Sequence, residues 1–355
     1  MLEVDIRVAR RLFEVAAAFT VAGGQRLALF GPSGSGKTTV LEAIAGLAAV
    51  SEGRIILGGR ELTSVDAAGR ARQIPIWARE VALLRQDPGL FPHLNVGENL
   101  TYGAGRRDGQ AVLRLVETLG LQGLLGASPR RISGGQAQRV ALGRALLSGH
   151  RALLLDEPHR GLDVPLRREL TELVRDQVGG RGVPAVLVTH ELDEAQAFAD
   201  HLGVLDRGRL LQLGSPSDVV RQPASPRVAE LVGYRGLVAV TARGRPMLAA
   251  VHPERVRLGA RPERGPVVEG RVLASRPAGA GWVVDVAVGP EMPPPRADRP
   301  GAPAFSFRLS DPPLPPGAPV VLTLLDPPLF EAPAAAAPPA GGVRSDTVRG
   351  GEVSS

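Results

Sequence analysis

The segment from Gly31 to Thr38 constrains the fold of this chain more than any other, because it fits the pattern G-x-x-x-x-G-K-[ST]. An apolar run of strand length, residues 26–30, precedes it, and a helical stretch, residues 39–45, follows. Glycines at this spacing let successive backbone N–H groups curl around a phosphate chain, to which a helix N-terminus adds partial positive charge. The sequence therefore predicts a phosphate-binding loop, and an ordinary Gly/Ser turn before a helix is the disfavoured alternative.

Lys37 and Thr38 carry the polar chemistry of this loop. In such loops the lysine reaches the β- and γ-phosphates, and the hydroxyl next to it can ligate Mg²⁺. Lys37 is also the single lysine among the 42 Lys and Arg residues of the chain, which indicates that the position requires a compact ammonium rather than a planar guanidinium. The predicted phosphate-binding residues are Gly31, Pro32, Ser33, Gly34, Ser35, Gly36, Lys37, Thr38 and Thr39.

A second apolar strand candidate, residues 152–156, ends in two acids. It closes with Asp156, which is followed by Glu157 and Pro158. Because α/β sheets bind ligands at the carboxyl ends of their strands, we expect Asp156 to hold Mg²⁺ and Glu157 to orient or deprotonate an attacking water. A buried strand that merely ends in an Asp-Glu-Pro turn is the alternative.

Composition excludes several classes of protein. The 355 residues contain no cysteine, so disulfides, thiolate metal sites and cysteine nucleophiles are absent. The net charge is +6, but the arginines are scattered among acids, which predicts a mixed solvated surface and no nucleic-acid partner. Apolar runs are far shorter than the roughly 18 residues of a membrane span, and no secretory signal is evident, so we expect a cytoplasmic chain.

The pattern of apolar residues changes along the chain. Up to about residue 222, strand candidates alternate with helical stretches, which predicts a parallel α/β sheet. Later strand candidates are short and separated by Gly and Pro, which predicts a small all-β domain. The predicted boundaries are 1–230 for the first domain, 235–330 for the second, about 290–304 for a Pro-rich insertion within it, and 331–355 for a disordered tail.

The most diagnostic segment lies shortly before the strand that ends in Asp156. Its sequence, ISGGQ followed by QRVAL at 138–142, resembles the signature motif of ATP-binding-cassette (ABC) ATPases. A serine can cap the helix that follows, while two glycines let its first amides approach an anion. In that family the motif of one copy closes on the γ-phosphate bound by the other, so the resemblance implies two ATP molecules between two copies. The motif residues are Ser133, Gly134, Gly135 and Gln136.

The resemblance assigns roles to further positions. Gln86 is similar to the Q-loop glutamine, which contacts Mg²⁺ or water; His190, after an apolar run, is similar to the switch histidine, which contacts the γ-phosphate. Asp163 resembles the D-loop acid. The resemblance thus implies an ATPase with ATP and Mg²⁺ as cofactors. The implied catalytic residues are Glu157, His190 and Gln86, and the implied Mg²⁺ ligands are Thr38, Gln86 and Asp156.

Two features depart from the family pattern. His159, Arg160 and Gly161 replace the small and apolar residues that usually follow the Glu-Pro pair, which we interpret as an altered interface detail. The aromatic residue that usually stacks on adenine is also missing from its expected place. Phe13 is one candidate for that role, and Arg10 or Arg11 is the other; Phe13 as a core residue on a strand is an equal alternative.

Two segments are similar to parts of importer ATPases. Residues 90–102 resemble the surface presented to the membrane permease, and residues 251–258 with the strands after them resemble an OB-like C-terminal domain. The resemblance implies a P-loop NTPase cassette with a helical signature subdomain followed by an OB-like domain. It also implies a homodimer, permease subunits, indirectly an extracytoplasmic solute-binding protein, and a peripheral location at the cytoplasmic face of the membrane.

The layout looks closest to molybdate-type importer ATPases. Sulfate, ferric iron, polyamine or sugar remain alternative solutes, because this polypeptide never needs to touch the solute. A soluble ABC ATPase of the translation or repair type is disfavoured, since such proteins usually carry two fused cassettes or a long coiled-coil insertion, and this chain has neither.

Overall fold

The computed structural model describes residues 1–11, 13–104, 109–159, 164–242, 244–279, 281–288, 304–310 and 313–332. The chain forms two compact units, one spanning Met1–Val219 and the other beginning at Val220. In the described part of the chain, every helix is too short or too polar to cross a membrane. The predicted boundary near residue 230 stays a prediction.

The first unit is built on one sheet of eleven strands. In chain order, the strands are β1 (Leu2–Ala9), β2 (Glu14–Val21), β3 (Arg26–Phe30), β4 (Glu52–Leu57), β5 (Arg60–Val65), β6 (Ala71–Gln73), β7 (Val81–Leu84), β8 (Ala152–Asp156), β9 (Ala185–Thr189), β10 (His201–Asp206) and β11 (Arg209–Gly214). Their order across the sheet is β6-β5-β4-β1-β2-β11-β10-β3-β9-β8-β7.

The helices of the first unit connect these strands. They are α1 (Lys37–Ala45), α2 (Val96–Thr101), α3 (Gly109–Thr118), α4 (Gly134–Leu147), α5 (Val164–Arg181), α6 (Leu192–Phe198) and α7 (Pro216–Arg221), the last of which reaches into the second unit. Helix α1 packs against β7, β8 and β9, and its buried apolar residues belong to an apolar cluster of the first unit.

The sheet is mixed rather than parallel throughout. Strands β10, β3, β9, β8 and β7 pair in parallel, as the alternating pattern predicts. Strands β1, β2, β4, β5 and β6 form an antiparallel wing, which corrects the expectation of a purely parallel sheet. Burial differs between the two parts of the sheet. Residues of β1 and β2 alternate between buried and more exposed positions, as half-buried antiparallel strands do, whereas β8 and β9 are buried along their whole length.

Among its described residues, the second unit contains one complete α-helix, two short 3-10 helices (Pro253–Arg255 and Pro262–Arg264) and eight strands. The helix is α8 (Pro226–Leu231), and the strands are β12 (Leu237–Ala242), β13 (Arg245–Ala250), β14 (Val256–Leu258), β15 (Val267–Ala278), β16 (Gly281–Val288), β17 (Ala304–Leu309), β18 (Pro319–Leu324) and β19 (Leu329–Glu331). They form sheets of order β12-β13-β19 and β14-β18-β15-β16-β17, with antiparallel pairing in both.

The all-β character of the second unit agrees with the prediction, and its core consists mainly of valine, leucine and phenylalanine from both sheets. Strand candidates at 237–241, 255–258, 267–273, 282–288 and 320–325 in the sequence correspond to β12, β14, β15, β16 and β18, whereas β13, β17 and β19 were not predicted. The OB-like topology stays a prediction. The predicted insertion lies almost entirely outside the described residues, as does the predicted tail from residue 333 onward.

Candidate functional site: a phosphate loop beside an acidic strand edge

The parallel strands bring four chain segments to one edge of the sheet. Strand β3 leads into the phosphate loop, β7 leads to Gln86, β8 ends in Asp156 and β9 leads to His190. Parallel neighbours have their carboxyl ends at the same edge, so loops distant in sequence meet there. The candidate site lies at this edge.

Backbone geometry explains the glycines of the phosphate loop. Gly34 and Gly36 have φ angles of 78° and 105°, a left-handed region that disfavours other residues. At Gly31 the restriction is steric, because a Cβ there would lie 2.0 Å from the carbonyl oxygen of Leu205. The loop therefore needs glycine at these three positions to bring its amides together at the start of α1.

The Lys37 ammonium is folded into the loop. Its Nζ donates to the carbonyl oxygens of Gly31 at 2.8 Å and Pro32 at 2.9 Å, and the residue is only 7% exposed. Burial lowers the pKa of Lys37, an effect that the nearby carboxylates of Glu157 and Asp156 oppose. An ammonium has three N–H donors, so these two bonds leave one for a phosphate oxygen.

Asp156 and Thr38 form the oxygen-rich part of the site. The Thr38 hydroxyl donates to Oδ1 of Asp156 at 3.3 Å. Burial raises the pKa of Asp156, which the hydrogen bond from Thr38 partly offsets. A buried carboxylate beside a hydroxyl oxygen is a donor set that suits Mg²⁺, so these residues fit the predicted metal.

Glu157 is held between two other predicted catalytic residues. Gln86 Nε2 donates to its Oε2 at 3.2 Å, and His190 Nδ1 donates to its Oε1 at 2.8 Å. Its backbone N–H donates to the Val188 carbonyl at 3.1 Å, and its φ of 47° is left-handed, an uncommon state for a glutamate. Strained backbone of this kind persists where surrounding contacts over-determine it, typically at functional sites.

The three side chains face a cleft. Its volume is about 380 Å³, on the scale of small-molecule sites. It is lined mainly by polar side chains from the loop, the strand ends and helices α5 and α6, namely Ser33, Gln86, Glu157, His159, Arg167, Thr189, His190, Glu191 and Glu194.

The remaining loop residues have distinct surroundings. Ser35 is buried, and its Oγ has no hydrogen-bond partner in the described part of the chain, which is a feature expected of a ligand-binding loop. Thr39 accepts a hydrogen bond at 3.1 Å from Arg10 Nε, and a second Arg10 nitrogen pairs with Glu42 at 2.9 Å. Arg10 is therefore already engaged by α1.

Phe13 lies beside the phosphate loop. A Cβ at Gly36 would be 3.6 Å from its ring, and one at Gly208 would be 2.8 Å away. Phe13 is half-buried and packs against the apolar cluster beneath. Phe13 therefore contacts the core from just before β2 rather than from within a strand, and its stacking on adenine stays a prediction.

The signature turn forms a complete helix cap. Ser133 Oγ accepts from the Gln136 N–H at 3.2 Å, and Gln136 Oε1 accepts from the Ser133 N–H at 2.8 Å, a capping box at the start of α4. Gly134 and Gly135 form the first turn of that helix. None of the four is among the residues that line the cleft in the described part of the chain. Asp163 lies outside the described residues, as do Arg160 and Gly161.

Sequence reasoning missed several residues around the site. His159 was noted only as a departure at an interface, yet its imidazole is buried and its Nδ1 lies 2.6 Å from Glu194 Oε1. Thr189 and Glu194 had no local signal, because their importance depends on that contact.

Arg79 was also missed: it is 1% exposed and donates to the Ala43 and Ile44 carbonyls at the end of α1.

Comparison with known proteins gives one family. The sequence model described as "ABC transporter" matches residues 16–160. A Fe(3+) ions import ATP-binding protein of Mesorhizobium japonicum is 41% identical over 217 residues, covering 60% of this chain and 59% of the relative. A molybdate/tungstate import ATP-binding protein of Pyrococcus horikoshii is 36% identical over 260 residues, covering 69% of this chain and 73% of the relative. This chain thus spans about three fifths of the ferric-iron relative's length.

A solved structure agrees with the sequence matches. The structure described as the ATP binding subunit of an ABC transporter superposes with a TM-score of 0.55 at 29% identity, covering 65% of this chain and 97% of the other. The P-loop fold of the first unit is therefore confirmed. Together with the molybdate/tungstate relative, these matches show that the chain belongs to the ABC transporter family, whose signature its sequence resembles.

Proposed function

We propose that this chain hydrolyses ATP as the nucleotide-binding subunit of a solute importer. The observation that carries the proposal is the placement of Glu157. Its carboxylate is held by Gln86 and His190 directly after the Asp156–Thr38 pair, at the edge of the sheet where the phosphate loop begins. This arrangement supplies an anion-binding loop, metal ligands and a base at one edge of the sheet.

Different side chains have different roles in the proposed phosphoryl transfer to water. The loop amides and the Lys37 ammonium bind the phosphates, and the oxygens of Thr38, Asp156 and Gln86 would hold Mg²⁺, which supplies neutralisation of phosphate charge. Glu157 accepts a hydrogen bond, and then a proton, from the attacking water. The His190 imidazole keeps the carboxylate of Glu157 oriented through its 2.8 Å hydrogen bond, so the base is positioned before the reaction begins.

The proposed partners are a second copy of this chain and membrane permease subunits. The Ser133 capping box fixes the first turn of α4 and so preorganises its amides for the γ-phosphate held by the other copy. Asp163 belongs to the same proposed interface. A peripheral place at the cytoplasmic face of the membrane, with a solute-binding protein outside, is part of the same proposal.

The proposed permease contact lies in residues 90–102. Phe91 stacks on Tyr102 with ring centroids 4.4 Å apart, and Tyr102 is 54% exposed. Arg144 of α4 donates to the Pro88 carbonyl at 2.9 Å and lies over the Phe91 ring. This contact links the segment just after Gln86 to the helix that follows the signature turn, as a relay between nucleotide and membrane partner requires.

For the solute we propose molybdate or a related oxyanion. The match to the molybdate/tungstate relative extends over 260 residues, compared with 217 for the ferric-iron relative, and so covers more of this chain. The ferric-iron relative has the higher identity, 41% against 36%, which keeps ferric iron as the second candidate. Uptake of labelled molybdate and labelled ferric iron, by cells with and without this chain, discriminates the two.

Release of inorganic phosphate from Mg-ATP by the full-length chain tests the ATPase proposal. Glu157→Gln keeps the shape and removes the base, so we expect turnover to fall by about 10²- to 10⁴-fold while ATP binding persists. Glu172→Gln, an equivalent change at an exposed position on α5, is the matched control and should leave turnover unchanged. Wild-type turnover in Glu157→Gln would remove Glu157 from this role, and a wild-type chain that binds no ATP would refute the proposal itself.

A further inference from the structure

His159 occupies a buried position two residues after Glu157. Its side chain is 5% exposed, and its ring contacts two helices. Nδ1 donates to Oε1 of Glu194 on α6 at 2.6 Å, and Nε2 lies 3.4 Å from the Thr171 hydroxyl on α5. A side chain locked on both sides in this way has a defined orientation rather than a free surface position.

Glu194 connects His159 to the segment that carries His190. The side chain of Glu194 is 9% exposed, and its second oxygen accepts a short hydrogen bond from the hydroxyl of Thr189. The same Thr189 oxygen accepts from the Glu191 N–H at 3.0 Å. The residues on both sides of His190 are therefore tied to one hydroxyl, whose position depends on the Glu194 carboxylate.

These contacts close into a ring. From Glu157 the backbone leads to His159, whose imidazole binds Glu194; Glu194 binds Thr189, which precedes His190 in the chain. His190 then returns to Glu157 through the 2.8 Å hydrogen bond to its carboxylate. The two proposed catalytic groups are thus connected twice, once directly and once through His159.

The stability of this ring depends mainly on the hydrogen bonds that the buried Glu194 carboxylate accepts. A buried carboxylate is costly unless it accepts hydrogen bonds, and His159 and Thr189 supply them here. If the imidazole is removed, Glu194 loses one of these two donors, and its carboxylate is free to rotate toward water. That rotation would break the hydrogen bond from Thr189, the residue that directly precedes His190 in the chain.

We propose that His159 is a positioning residue, which fixes His190 relative to Glu157 through Glu194 and Thr189. The expected effect on ATP hydrolysis rests on the proposed function, whereas the placement of His190 by His159 rests on the hydrogen bonds alone. The ionisable side chains that line the cleft beside His159 include Glu194 of α6, Arg167 of α5, and Glu191 and His190 of the intervening loop. Arg167 pairs with Glu191 at 2.6 Å, and the imidazole of His159 donates to Glu194 at 2.6 Å.

The test compares His159→Leu with His159→Gln in the full-length chain. The leucine variant removes the donor, and the glutamine variant supplies an amide N–H that can bind Glu194. We expect His159→Leu to lower kcat for ATP hydrolysis by about 10- to 100-fold, the scale for misplacing a catalytic group, with KM for ATP unchanged. We expect His159→Gln to recover most of the activity. His252→Leu, which removes a half-buried imidazole from the second unit, is the control and should behave as wild type.

Imidazole ¹H–¹⁵N spectra give a readout that does not depend on activity. His159→Leu should shift the His190 resonances, and His159→Gln should leave them near their wild-type positions. If His159→Leu does not fold, Thr189→Val breaks the same ring with little change in shape, and it should shift His190 whereas Thr189→Ser should not.

Three outcomes would overturn the inference: unmoved His190 resonances in His159→Leu or in Thr189→Val, wild-type kcat in His159→Leu, or equal impairment of His159→Gln and His159→Leu. A wild-type chain that hydrolyses no ATP would refute the proposed function instead, and the spectra would still decide whether His159 positions His190.

Discussion

The phosphate loop and the acidic strand edge meet in one cleft but are built in different ways. In the loop, Lys37 bonds to carbonyls five and six residues away in the chain. At the edge, the bonds join residues much farther apart: Glu157 and His190 are separated by 33 positions, and Gln86 and Glu157 by 71. A local segment can bind phosphate by its own backbone, whereas placing the base requires three parallel strands to be in register.

Lys37→Ala is expected to have the largest effect on the loop. Charge-assisted hydrogen bonds contribute about 1.5–3 kcal/mol, so ATP affinity should fall by about 100-fold. The edge should stay intact, because none of its hydrogen bonds uses Lys37. Calorimetric titration of ATP measures the affinity, and the His190 resonances report the edge.

Arg54→Ala, which removes a positive charge from an exposed position on β4, is the matched control for Lys37→Ala. It should leave ATP affinity unchanged. Equal ATP affinities of Lys37→Ala and wild type would mean that the loop binds phosphate without the ammonium. The proposed role of Lys37 in the loop would then be wrong.

Arg79→Leu is expected to have the next largest effect, and it acts on stability. The guanidinium donates to the Ala43 and Ile44 carbonyls, to the Ile74 carbonyl and to the Thr63 hydroxyl. Burial lowers the pKa of Arg79. Losing the donors leaves buried acceptors without partners, at about 1–3 kcal/mol each, while removing a buried charge offsets part of that cost.

We expect a net loss of about 2 kcal/mol in the free energy of unfolding for Arg79→Leu, measured by urea denaturation. Arg72→Leu, at an exposed position on β6, should change stability little. An unaltered unfolding midpoint in Arg79→Leu would show that α1 needs no support at its C-terminus and that the loop is independent of long-range contacts.

Phe13→Ala is expected to have the smallest effect, on base recognition alone. Stacking of a base on an aromatic ring contributes about 1–3 kcal/mol; Phe13 is half-buried against the core, so we place the loss near the lower end, about 5- to 10-fold in ATP affinity. Affinity for inorganic triphosphate should not change. If Phe13→Ala binds ATP normally and Arg11→Ala does not, the arginine is the residue that stacks on adenine.

The fold was predictable where the sequence pattern is strong. The phosphate loop was visible from its pattern of glycines and lysine. Apolar runs bounded by Gly, Pro or acids predicted the buried strands β8 and β9 and most strands of the second unit. The antiparallel wing of the first sheet was missed. Its strands β1 and β2 alternate between buried and more exposed residues, and pairing of that kind is decided by partners distant in the chain.

The candidate site divides in the same way. Glu157, His190 and Gln86 were named individually from motifs, and the structure brings their side chains within hydrogen-bonding distance. Their catalytic roles stay predictions. Thr189 and Glu194 carried no signal, because a threonine at a strand end and a glutamate in a helix are ordinary until the fold joins them to each other and to a buried imidazole.

The sequence by itself determined the phosphate loop, since Gly34 and Gly36 act through their own backbone angles and Lys37 bonds to carbonyls five and six residues away. It also determined which strands are fully buried, because continuous apolar runs have only one stable environment. The tertiary structure decided the rest: which strand ends meet at one edge, that Arg79 caps α1, and that His159 binds Glu194. Those contacts depend on the register of the sheet and the packing of helices, which no short stretch of sequence encodes.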